Sequence, residues 1–76
     1  MTDLASSLSP ASCQSARELL KLSQADLAAR AMLSTSTVRR FEAGVGEISD
    51  YAKKQLAQTL AREGVLFLGG KRAIAF

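Results

Sequence analysis

The 76-residue sequence predicts a mainly α domain, four short helices followed by a C-terminal β-hairpin or strand. Three observations predict it. Serines at positions 9, 23, 34 and 49 each precede a stretch with apolar residues three or four apart. A helix begins in this way, because the serine oxygen accepts from an amide that has no partner inside the helix. Gly44 and Gly64 stand where two of these stretches end, and glycine enters the left-handed backbone of a helix terminus at least steric cost. Beyond Gly64 the pattern changes to β-type runs at 65–68 and 73–76, separated by Gly69, Gly70, Lys71 and Arg72, which is a hairpin signal.

Taken in order, residues 1–8 carry no periodic pattern and read as a flexible tail. Ser9 and Pro10 start a first helix predicted over 10–21, proline suiting the first helical position because its missing N–H has no role there. Cys13, Ala16, Arg17 and Leu20 form its inner stripe, with Arg17 a charge among apolar neighbours. Ser23 and Asp26 have the spacing of a capping box and open a second helix, whose inner face is Leu27, Ala28 and Ala31. Ser34 caps a third helix over 35–43 and Gly44 ends it. A loop at 45–49 follows. Ser49 or Asp50 then caps a fourth helix reaching Glu63, with Ala52, Leu56 and Leu60 repeating every four residues. The chain divides into a tail (1–8), a helical domain (9–64) and a hairpin (65–76). A lone hairpin is marginal in water, so this one packs on the helices or pairs with another chain.

Hydrophobic residues make up 47% of the chain and charged residues 22%, enough apolar surface for one core. There is no histidine, and the single cysteine, Cys13, can form neither an internal disulfide nor a zinc site; it reads as a small buried hydrophobe in a reducing compartment. The lone cysteine has no base nearby, and Gly69-Gly70-Lys71 lacks the spacing of a phosphate loop. The sequence thus predicts no catalytic residues, no metal, no cofactor and no small-molecule substrate. It also predicts no membrane span and no signal peptide, hence a cytoplasmic protein. The net charge of +3 points to an anionic partner.

The charge distribution on the third helix makes that partner specific. At 100° per residue, Ser34, Val38, Phe41 and Glu42 fall on one side, and Ser36, Arg39, Arg40 and Ala43 on the other. The outer face holds short polar groups, two guanidiniums and no carboxylate. Such a face suits the major groove of double-stranded DNA, where arginine binds guanine O6 and N7 bidentately and small hydroxyls contact bases or phosphates.

The segment from Arg17 to Ala28, with its Ser23-Gln24-Ala25-Asp26-Leu27-Ala28, followed by Ser34-Thr35-Ser36-Thr37-Val38-Arg39-Arg40-Phe41-Glu42-Ala43-Gly44, resembles the Cro/C1-type (XRE) helix-turn-helix family of phage repressors and small bacterial regulators. The resemblance covers about residues 10–63. It implies a lambda-repressor-like four-helix DNA-binding domain that acts as a homodimer on a two-fold operator. By position it implies that Thr35, Ser36, Arg39 and Arg40 read bases, that Gln24 and Ser34 hold phosphates, and that Arg17 and Glu42 form a buried ion pair. The residues themselves lead to the same pair, since an inward charge is tolerated when partnered. Thr37 falls near the inner side and is assigned to capping. Three positions depart from the family pattern: Met32 stands in the turn where glycine is frequent, Thr35 stands where glutamine is frequent, and loop 45–48 carries Glu47 but no lysine or arginine.

The apolar hairpin either completes its own core or pairs with a second subunit. The sequence favours the second, with Val65, Phe67, Ile74 and Phe76 as dimerisation residues. Two other functions compete with a transcription regulator on this fold: a protein-interaction module of antitoxin-like or anti-activator type, and a recombination accessory that bends DNA. With no room for a ligand-binding domain, a protein regulator is one route to switching.

Overall fold

In a computed structural model, residues 8–46, 48–67 and 73–75 are described. Four helices, α1 (Pro10–Leu19), α2 (Gln24–Ala31), α3 (Thr35–Ala43) and α4 (Asp50–Arg62), precede strands β1 (Val65–Phe67) and β2 (Ala73–Ala75). Each helix is capped by a serine, as predicted for the first three, and at α4 the cap is Ser49 and not the alternative, Asp50. Ser9 Oγ accepts from the Ser12 amide at 3.0 Å and Ser23 Oγ from the Asp26 amide at 2.9 Å. Ser34 and Ser49 serve the Thr37 and Ala52 amides, both at 3.1 Å. The box at α2 is reciprocal, since Asp26 Oδ2 accepts from the Ser23 amide at 3.0 Å. Donation from the Ser23 amide, and after it from the Ser23 side chain, holds the Asp26 carboxyl below its ordinary range.

The first three helices end alike, although only one ends on glycine. A residue in the left-handed region follows each: Lys21 (φ 58°), Met32 (φ 59°) and Gly44 (φ 73°). The next amide then reaches back to close the turn, Leu22 to Arg17 O, Leu33 to Ala28 O and Val45 to Arg40 O. Lys21 therefore lies outside α1, which stops at Leu19, two residues before the predicted end. A positive φ at Lys21 is incompatible with continuing a right-handed helix.

The core gathers Cys13 and Ala16 of α1, Leu27, Ala28 and Ala31 of α2, Val38 and Phe41 of α3, and Leu56, Ala57 and Leu60 of α4. Its many alanines let the helix backbones approach closely. Leu8 is also buried in this cluster, so the tail predicted through residue 8 stops short of it. With no periodic partner upstream, Leu8 left no sequence signal, yet its removal from water favours the packed position.

β1 and β2 pair antiparallel, with Val65 opposite Ala75, Leu66 opposite Ile74 and Phe67 opposite Ala73. β2 lies against α1, and β1 against α4. Val65, predicted as a dimerisation residue, is instead 5% exposed within the chain's own core, where the end of α4 delivers it. Leu68, the turn predicted at 69–72 and Phe76 lie outside the described residues.

Candidate nucleic-acid interface

α2, a short turn and α3 form the surface on which the predicted site residues converge. The turn is set by Met32. Its left-handed backbone lets Leu33 and Ser34 lead directly into α3, while its side chain stands 83% exposed in solvent. A non-glycine residue in this region is strained by about 1–2 kcal/mol, and an exposed side chain recovers little of that by burial. Met32→Gly is therefore expected to raise stability by about 0.5–1 kcal/mol after the greater freedom of glycine in the unfolded chain is allowed for. Chemical denaturation of both proteins checks it.

The inner edge of α3 is anchored by one carboxylate. Glu42, its side chain 4% exposed, receives Arg17 Nε at 2.9 Å on Oε2 and Arg17 Nη2 at 2.9 Å on Oε1. This is a two-pronged pair with the geometry that gives guanidinium–carboxylate contacts their strength. The Glu42 hydrogen bonds raise the pKa of Arg17 still further above its ordinary value. Arg17 Nη1 also donates to the Leu22 carbonyl at 3.0 Å, binding the turn after α1 into the same cluster.

Two further donors complete it. Gln24 Nε2 donates to Glu42 Oε1 at 3.2 Å, and Cys13 Sγ lies 3.5 Å from Glu42 Oε2. Glu42 thus ties α1, α2 and α3 together. The family resemblance implied the Arg17 partner, and the inward placing of both charges agrees with it, but Gln24 and Cys13 join from other helices and no spacing signals it.

Burial, and then the negative charge of Glu42, pushes the Cys13 thiol far above its ordinary value. A raised native value means that the folded protein keeps the proton that an unfolded thiol releases near pH 8.5. Stability from this group is therefore complete below that pH and declines as pH rises through the alkaline range, by about 1.4 kcal/mol per pH unit. Thermal melts between pH 8.5 and 10.5 should fall more steeply for the native protein than for Cys13→Ala.

The outward face of α3 is different in character. Ser36, Arg39, Arg40 and Ala43 are exposed, and Thr35 is half-buried at its edge. Among the described residues neither Arg39 nor Arg40 has an ion pair or a side-chain hydrogen bond. The only carboxylate of α3, Glu42, is neutralised by Arg17 on the inner edge, so the outward face presents two uncompensated positive charges. Ser34 is exposed at the start of the helix, with its hydroxyl 2.8 Å from Thr37 Oγ1; both hydroxyls serve the cap. Gln24 is the first residue of α2 and half-buried, so its amide nitrogen faces Glu42 while the helix start beside it carries unsatisfied backbone N–H groups.

Elsewhere the described residues hold no cluster of three or more metal-ligating side chains, and no described helix is long and apolar enough to cross a membrane. Comparison with known families matches residues 14–63, about two-thirds of the chain, to the family described as helix-turn-helix. The match runs from within α1 to the residue after α4 and contains Arg17, Gln24 and Glu42 of the cluster and the α3 surface, with Cys13 just outside it. No curated protein matches the chain.

Proposed function

Given that the chain belongs to the Cro/C1-type (XRE) helix-turn-helix family of DNA-binding proteins, we propose that it is a sequence-specific transcriptional regulator that places α3 in the major groove of double-stranded DNA. The observation that carries this reading is the exposed, carboxylate-free face of α3 with its two unpaired guanidiniums. In the groove, Arg39 and Arg40 supply bidentate contacts to guanine and the hydroxyls of Thr35 and Ser36 supply short-range ones. Gln24 and Ser34, each next to a helix start with free amides, hold backbone phosphates and set the depth of α3.

The regulator acts as a homodimer on an inverted repeat, its two copies of α3 about 34 Å apart, one turn of DNA. A two-stranded hairpin leaves an outer edge on each strand, and pairing of such edges between subunits covers backbone groups that otherwise invite aggregation. With Val65 committed to the core, Phe67, Ile74 and Phe76 remain the residues assigned to that contact.

Selection from a pool of randomised duplexes tests the function. Enrichment of an inverted repeat supports it. Recovery of no preferred sequence, with binding that disappears as salt is raised, rejects sequence reading in favour of charge-driven contact alone.

A further inference from the structure

The loop after α3 contains a second left-handed glycine. Gly44 has φ +73° and Gly46 φ +71°, so an L side chain is strained equally at both. Their surroundings differ. A methyl group added at Gly44 would meet nothing within 4 Å, whereas one added at Gly46 would stand 3.3 Å from Nη2 of Arg40. The guanidinium of Arg40 therefore lies over the bare α-carbon of Gly46, extended from α3 across to the loop. Nothing else anchors it, since among the described residues it has neither ion pair nor side-chain hydrogen bond.

We infer that Gly46 is a positioning residue for Arg40, its missing side chain leaving the room in which the guanidinium rests before DNA arrives. A long arginine side chain otherwise samples many rotamers, and fixing it on binding costs affinity. Resting on the loop narrows that choice and sets the side of α3 from which Arg40 reaches the groove. An added methyl displaces the free end of a flexible side chain and leaves the fold in place, so the effect falls on the position of Arg40. The inference rests on the DNA-reading role of Arg40.

Two measurements separate the inference from that role. In the free protein, NMR should give a nuclear Overhauser contact between the Gly46 α-protons and the Arg40 side chain; absence of this contact overturns the inference whether or not DNA is bound. On the duplex selected by the native protein, Gly46→Ala should weaken binding about twofold to threefold beyond Gly44→Ala, the low end of the cost of a displaced side-chain torsion, since Arg40 Nη2 has to give way by only a small distance. In the Arg40→Ala background the excess should vanish. Equal losses from the two glycine substitutions, or an excess that persists without Arg40, overturn the inference. Failure of the pool selection to enrich any sequence instead rejects the DNA-reading role, and the NMR contact then decides the Gly46–Arg40 relation by itself.

Discussion

Glu42→Ala is expected to destabilise the domain by about 3–5 kcal/mol, as breaking a buried ion pair does. That is a large share of the 5–15 kcal/mol typical of a folded domain. Three donors converge on this carboxylate: the Arg17 guanidinium, the Gln24 amide and the Cys13 thiol. Removing it leaves Arg17 at the rim of the core with its charge uncompensated. Arg17 is the more exposed partner, at 14% against 4% for Glu42, so water reaches it more easily. Arg17→Ala instead leaves the more deeply buried carboxylate without its cation, with only the neutral donors Gln24 and Cys13, and is expected to cost at least as much. Urea denaturation of the two single variants and the double variant should return a coupling energy of at least about 1.5 kcal/mol, in the range of contacting charged pairs. A coupling near zero would show that the pair contributes nothing to holding α1 against α3.

The second large effect is on DNA binding. Arg40→Ala is expected to reduce affinity for the selected duplex by about 5- to 150-fold, the equivalent of the 1–3 kcal/mol that a bidentate base contact supplies. The loss should be concentrated at particular base pairs, and repeating the selection with the variant should relax the sequence there. Arg39→Ala should behave similarly at different base pairs. Because both side chains are exposed and unpaired among the described residues, neither substitution should shift the unfolding midpoint appreciably. A uniform loss across all sequences, with a smaller salt dependence, would reassign the arginine to phosphate contact.

The parts of the fold legible in the sequence are those governed by local rules. Ser9, Ser23, Ser34 and Ser49 announce four helices because an N-cap needs only its own side chain and an amide three residues on. The two faces of α3 follow from helical periodicity alone. What escaped depended on contacts between distant residues or on tolerated strain. Lys21 adopts the conformation that usually marks glycine, and its long side chain carries no sign of this; at Met32 the same conformation was signalled only by the family pattern, where glycine is frequent. Leu8 and Val65 are drawn into the core from segments read as tail and interface, because packing with other elements decides their side. The Arg17–Glu42 contact was accessible because charge on an inward face demands a partner. Gln24, polar at a helix start, made no such demand, and its hydrogen bond to Glu42 follows only from the way α2 crosses α3.

That hydrogen bond links fold to function, since the residue assigned to phosphate and the helix assigned to the bases share one buried anchor. The central claim is that the surface formed by α3 and the start of α2 faces DNA. Titrating the selected duplex into isotope-labelled protein and following backbone amide shifts tests it most directly. The account predicts the largest changes at Gln24, Ser36, Arg39 and Arg40, with α4 beyond its first turn unaffected. Changes centred on the hairpin or on the outer face of α4, with α3 unmoved, would contradict it.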